Sequence, residues 1–422
     1  MPERGYGHCL DIYLLMTEFT MGNIRPFRIE VPSSEVEGLK QRLLSSRIPE
    51  LFEAGWEYGP PVEDIKRIAK YWAEEFSWPS FEKRLNDLPH YEATIAVSGF
   101  DPCQVHFIHQ RSESPDAIPL LFVHGWPGSF YEVSRILPLL RASEQNGGPA
   151  FHVVAPSLPN FGFSSRVNQP GFGIRQYAET CHLLMQLLGY RQYASQGGDW
   201  GSSISLSIGA FHPESLRAIH LNLIAGLPPP PTAPLSFIRF LATHFLNLYT
   251  DRESQGLKAA QDYQEQGAGY FQIQKTRPHT IGVALADSPV GLLAWIYDKL
   301  VSWTDNYAWT PQEVCEWVSL YWFSRAGPAA SVVIYHEASK GEWPARAGIA
   351  VPSAKMGFSY FPKEIFSTPR AWNHRLGDVI FEQEHERGGH FAAWEQPELL
   401  VGDLRVMFGK GGGAHGAVEK SA

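Results

Sequence analysis

The chain has 422 residues, 44% of them hydrophobic and 13% aromatic, which suits one large core with an insertion better than several small domains. The formal net charge is -9 and no basic run occurs, so nucleic acid is a poor candidate partner. Four scattered cysteines, Cys9, Cys103, Cys181 and Cys315, lack CxxC spacing and read as reduced, mostly structural thiols of a reducing compartment.

Near the start, "CLDIYLLM" (Cys9 to Met16) is far shorter than the ~20 apolar residues a membrane span needs. It also lacks the flanks of a signal peptide, and Met21 offers an alternative start. Residues 1–89 read as an N-terminal extension and helical meander. "SEVEGLKQRLLSSR" and "VEDIKRIAKYWAEEF" place apolar residues three and four apart, as two amphipathic helices wrapped over the core would.

Strand signals begin with "HYEATIAVSG" and "CQVHFIHQR", whose alternation predicts an antiparallel pair. "IPLLFVHG" and "FHVVAPSLP" are continuous apolar runs that suit buried parallel strands. A helix over Ile174 to Leu188, the short strand "RQYASQGG", the apolar helix "SSISLSIGAFHP" and the strand "LRAIHLNLI" follow. This alternation predicts an α/β fold with a mostly parallel sheet, its first part spanning residues 90–226. "GLPPPPTAPL" then breaks the pattern, and helical, aromatic signals occupy 227–345 as an inserted cap. The second part of the core, 346–409, resumes with "AGIAVPSA" and "GDVIFEQEH" as strands and a last helix from about Trp394. The glycine-rich tail 410–422 reads as disordered.

"SQGGDWGSS" (Ser195 to Ser203) has the small-x-nucleophile-x-small spacing of a strained strand-to-helix elbow, with Asp199 in the nucleophile's place. The bland alternative is that Asp199 only caps the helix that follows. "FVHGWPGS" ends an apolar strand in a loop that could offer the Trp126 backbone N–H to an oxyanion, with the Trp200 N–H as second donor. An ordinary Gly-Pro turn reads the same way. "RGGHFAAWEQPELL" puts His390 in a loop before the last helix, the chain-order position of a catalytic histidine, although the chain has 16 histidines. No G-x-S-x-G, HExxH, paired CxxC or P-loop sequence is present, so no metal or cofactor is expected.

A carboxylate is a poor acyl acceptor but a competent nucleophile at an sp3 carbon. Its product is an alkyl ester, which water cleaves at the carbonyl carbon with a histidine as general base. Strained epoxides and alkyl halides fit that chemistry. An epoxide opens to a strongly basic alkoxide and needs proton donors such as phenols, with pKa about 10. A halide needs only N–H donors.

Together these stretches, with "GYFQIQKTRPHTIGVALADSPVGLLAWIYDK", resemble the microsomal-type epoxide hydrolases, particularly the soluble fungal members, from about Phe27 to Phe408. The resemblance implies an α/β-hydrolase fold with an eight-stranded sheet, Asp199 as nucleophile and His390 as the water-activating base. It assigns the charge-relay acid to Glu364 in "YFPKEIF", where spacing alone leaves Asp378 an equal rival. It assigns the epoxide-polarising donors to Tyr270 in "GYFQIQ" and to Tyr335 in "VVIYHEAS", after the last cap helix, out of 17 tyrosines. It implies an apolar, often aromatic epoxide and water as reactants, and a homodimer. Microsomal members carry a membrane anchor that this sequence does not show, so a soluble cytoplasmic enzyme is expected. The rival readings are a haloalkane dehalogenase-like hydrolase and a non-catalytic hydrolase-fold protein that binds an apolar ligand.

Overall fold

The computed structural model describes residues 24–341 and 350–419; Cys9, the apolar run to Met16 and the alternative start at Met21 lie outside the described residues. Strand β1 (Arg25–Pro26) opens it, followed by helices α1 (Ser33–Leu44), α2 (Val62–Glu74) and α3 (Trp78–Leu85). In α2 the buried Ile65, Ile68, Ala69 and Trp72 form one stripe at helical spacing. The Ser77 hydroxyl caps α3 by accepting the Ser80 N–H.

The core follows in chain order: β2 (His90–Ile95), β3 (Cys103–Gln110), β4 (Ile118–Val123), α4 (Val133–Gln145), β5 (Phe151–Pro156), α5 (Ile174–Leu187), β6 (Tyr193–Gly197), α6 (Trp200–Phe211) and β7 (Leu216–Leu221). Helices α7 (Pro234–Phe245), α8 (Asp251–Asp262), α9 (Gly269–Thr276), α10 (Pro278–Asp287), α11 (Pro289–Ser302), α12 (Pro311–Trp322) and α13 (Val333–Lys340) separate β7 from β8 (Val351–Tyr360). The chain ends with α14 (Arg370–Asn373), β9 (Gly377–Glu384), α15 (Ala392–Glu395) and α16 (Pro397–Phe408).

One sheet runs in the order β1-β2-β3-β5-β4-β6-β7-β8-β9. The pairs from β1 to β5 are antiparallel, and those from β5 through β4 to β9 are parallel. Every residue of β5 and β6 is buried, as expected of strands covered on both faces. From β4 the chain steps outward to β5 and then back to β6 on the other side. The carboxyl ends of β4 and β6 therefore flank a switch point, where α/β sheets open a crevice.

Three features differ from the sequence reading. Among the described residues the sheet has nine strands, not eight; the extra one, β1, is an edge strand in which Pro26 needs no ladder N–H. Strand β8 runs beyond "AGIAVPSA" to Tyr360, carried by the buried run Met356 to Tyr360; residues 347–349 of that stretch lie outside the described residues. Residues 410–419 of the tail fold back onto the body. The Ala414 N–H bonds Met407 O, and the Glu419 N–H bonds the Gln192 side chain. A Cβ at Gly412 would lie 2.1 Å from Val406 O, so only glycine passes there.

The N-terminal helices lean on the inserted helices as well as on the sheet. Trp72 Nε1 donates to Ser319 Oγ at 2.9 Å, the Tyr71 hydroxyl donates to Gln312 at 2.8 Å, and Arg84 pairs with Glu316. Gln312, Glu316 and Ser319 all lie on α12.

Candidate active site

Asp199 lies between β6 and α6 with φ 48° and ψ −130°, a backbone conformation that L-residues rarely adopt. Its side chain makes no capping bond to α6. Instead Asp199 Oδ1 accepts the Trp126 backbone N–H at 2.7 Å. Glycines permit this close approach: a Cβ at Gly125 would sit 2.0 Å from Asp199 Oδ1, and one at Gly201 would sit 1.9 Å from Val123 O. Trp200 begins α6, so its amide belongs to that helix's N-terminal set.

His390, from the loop after β9, places Nε2 3.3 Å from Asp199 Oδ2. Its Nδ1 lies 2.5 Å from Oε1 of Glu364, from the loop after β8. Glu364 stands in no helix, and the Ile365 N–H also bonds its Oε1. Burial by itself would lower the His390 pKa, but the charge of Glu364 and then the bond and charge of Asp199 outweigh it and raise the value to about 10. Asp378, the rival acid, stands at the opposite end of β9, half exposed and paired with Lys355 at 2.6 Å.

Tyr270 and Tyr335 meet each other beside Trp126 and Trp200, the residues whose backbone adjoins that carboxylate. The Tyr270 ring stacks on Trp126 at 5.3 Å and meets the Tyr335 ring edge-on at 5.7 Å. Tyr335 lies inside α13, not after the last cap helix, and its ring sits 5.1 Å from that of Trp200. The hydroxyl of Tyr270 meets that of Tyr263 at 2.8 Å. The hydroxyl of Tyr335 is buried and makes no hydrogen bond of ordinary geometry among the described residues, although Tyr270 and Trp200 lie close enough to ease its ionisation. Burial first, with the charge of Asp199 adding to it, holds both phenols well above their ordinary pKa, so both are protonated. Lys299 is buried beside Asp298, its Nζ 4.7 Å from the Tyr270 ring centroid.

Hydrogen bonds from both sides of the site hold these groups. Trp317 and Tyr321 of α12 donate to the carbonyls of Pro127 and Gly128, fixing the loop that carries Trp126. The His390 N–H donates to Trp303 O at 2.8 Å. Glu395 accepts the N–H groups of Gly389 and Asp305, and the Asp305 side chain accepts the Gly388 N–H. Burial chiefly raises the Glu395 pKa to about 7. Lys299, the Trp303 carbonyl and the buried Asn222 and Glu132 beside the site escaped the sequence reading. Glu132 carried a detectable signal, the Ser-x-x-Glu capping box of Ser129; Lys299 carried none.

A doubly wound sheet with an acid–histidine–acid chain along its carboxyl edge defines the class, an α/β hydrolase. The family model for the alpha/beta hydrolase fold matches residues 118–263, and the model described as epoxide hydrolase N terminus matches residues 24–133. The chain is 33% identical to Epoxide hydrolase 1 of Sus scrofa, over 92% of this chain and 89% of that one. The solved epoxide hydrolase of Aspergillus niger is 32% identical with a TM-score of 0.79, over 91% of this chain and 95% of that chain. The juvenile hormone epoxide hydrolase of Bombyx mori superposes with a TM-score of 0.81 at 29% identity, over 92% and 95%. The chain belongs to the epoxide hydrolase family. Among the described residues no single helix is long and apolar enough to cross a membrane.

Proposed function

We propose that this enzyme opens apolar epoxides to vicinal diols in two steps, through an alkyl ester on Asp199. The observation that carries the reading is a carboxylate, at an elbow that could have held a hydroxyl, facing two buried protonated phenols. Asp199 attacks an epoxide carbon while Tyr270 and Tyr335 hydrogen-bond the oxygen, one of them giving it a proton as the C–O bond breaks.

Esterification removes the charge of Asp199 and with it one of the two carboxylates that hold His390 protonated. The imidazolium can then release its proton and restore the phenol through solvent. Neutral His390 takes a proton from water, whose oxygen bonds to the ester carbonyl carbon. The Trp126 N–H, already directed at Oδ1, and the Trp200 N–H hold the resulting oxyanion. Collapse releases the diol and leaves Asp199 ionised beside protonated His390, so the cycle closes in charge and protons. Glu364 holds the imidazole by its Nδ1.

In this reading helices α7 to α13 form the cap that carries both tyrosines. An apolar substrate fits the rings of Trp126, Trp303 and Phe271 that gather around them. A haloalkane would leave the two phenols without a task. The test is a single turnover in heavy-oxygen water. Label entering the Asp199 side chain, with an unlabelled first diol, supports the scheme; label entering the diol directly overturns it.

A further inference from the structure

A cavity lies on the core side of Asp199 and His390. Its room for the centre of a water-sized molecule is about 20 Å³, enough for one water. Every residue lining it comes from the core, and neither Tyr270 nor Tyr335 reaches it. Its polar lining side chains are Asp199, His390, Gln196, Asn222, Glu132 and His124, whose ring nitrogens are engaged by Gly125 O and the Leu158 N–H.

Three of these groups are already fixed. Gln196 Nε2 donates to Asn222 Oδ1 at 2.8 Å, and Asn222 Nδ2 reaches the His390 carbonyl at 3.5 Å. Glu132 is buried, and its Oε1 accepts the Ser129 N–H at 3.0 Å, closing the capping box that begins the helical turn after β4. Its Oε2 accepts no hydrogen bond from the described residues. Glu132 lines the cavity, and water there can satisfy a carboxyl group that the protein bonds through one oxygen only. Burial raises the Glu132 pKa to about 7, against the lowering effect of the Ser129 N–H and of His390. Structural need explains the bond of Oε1 to the Ser129 N–H; it does not explain a carboxyl group in the wall of a cavity beside the nucleophile.

We propose that this cavity holds the hydrolytic water, and that Glu132 is the positioning residue that orients it through Oε2 toward the carbonyl carbon of esterified Asp199. The assignment rests on the two-step reading above. The water reaches the ester from the core, so it need not enter past the bound alkyl chain beneath the cap. One of its protons goes to His390 Nε2 as its oxygen bonds to the carbonyl carbon. The other stays on that oxygen and donates to Glu132. The bond between the carbonyl carbon and the alkyl oxygen then breaks, the alkyl oxygen takes the remaining carboxyl proton, and Glu132 ends as it began. Two chemical steps thus draw on opposite sides of one side chain, with donors to the epoxide oxygen in the cap and acceptors for water in the core.

Rapid-quench single turnovers test this with Glu132→Gln. Glutamine keeps an oxygen for the Ser129 N–H and replaces the other with an amide that cannot accept the water's proton. Ester formation should stay within about twofold of the parent, while ester hydrolysis falls about tenfold and the ester accumulates. A merely structural role would loosen the Trp126 loop and slow both steps together, which overturns the proposal, as does unchanged hydrolysis. If neither the parent nor His390→Gln ever shows an ester, the two-step reading itself fails; an ester in His390→Gln with normal hydrolysis in Glu132→Gln removes only the role of Glu132.

Discussion

His390 Nδ1 and Glu364 Oε1 lie 2.5 Å apart although 26 positions separate them and each follows a different strand. The pairing fixes which ring nitrogen faces Asp199. With Nδ1 donating to Glu364, neutral His390 presents a bare Nε2 to water. Glu364→Gln should therefore slow ester hydrolysis by about 100-fold or more, with ester formation far less affected. Asp378→Asn, at the far end of β9, should leave both rates unchanged. Stopped-flow traces of the two half-reactions check the pair of variants.

His390→Gln should retain ester formation and lose about 100-fold to 10,000-fold in ester hydrolysis, the range a general base supplies. Intact-protein mass spectrometry after mixing with styrene oxide should find the protein heavier by one substrate. Protein that stays unmodified while the parent turns over argues against the covalent step.

Tyr270→Phe and Tyr335→Phe should each slow ring opening by about 10-fold to 100-fold, because each removes one donor to the developing alkoxide. The hydrolysis of ester already formed should not change. Lys299→Met should slow the same step by about fivefold and Lys299→Arg much less, since a cation over the Tyr270 ring strengthens its O–H as a donor. Pre-steady-state quenching of intrinsic tryptophan fluorescence can report this step, given Trp126, Trp200 and Trp303 around the two tyrosines.

Asp199→Asn should lower the His390 pKa from about 10, because removing a neighbouring negative charge disfavours the imidazolium. An NMR titration of the ring protons measures it. The same sign applies within the catalytic cycle. The ester lacks the Asp199 charge, so hydrolysis should rise with pH through a value below that of the free enzyme and then level off. A hydrolysis rate that keeps climbing to pH 10 would contradict this.

Features with a local chemical cause were legible in the sequence. Glycines crowd Asp199 because the elbow brings backbone within 2 Å of where a Cβ would stand, and that requirement is written in adjacent residues. His390 was legible from its chain order, and the buried strands from unbroken apolar runs. Glu364 was not separable from Asp378 by spacing, because opposite ends of β8 and β9 decide which acid meets the histidine. Tyr270 and Tyr335 needed the family resemblance, since one caps a wall built by helices whose packing no local pattern encodes. Lys299 and Glu132 escaped the reading, because a helix lysine and a glutamate three residues after a serine look locally like many others. The tail was misjudged because a run of glycines suggests disorder, while here it allows a tight return onto α16 and β9.

The bonds from Trp72 and Tyr71 to α12 tie α2 to the same helix that grips the loop bearing Trp126. Together with the Arg84–Glu316 pair they brace α12 from the N-terminal side, so in the proposed scheme the helices over Asp199 are held from that flank. Trimming the chain to its sheet would not yield a smaller working catalyst. Under the proposed scheme it would release α12, admit bulk water to Asp199 and free the two tyrosines from the epoxide oxygen.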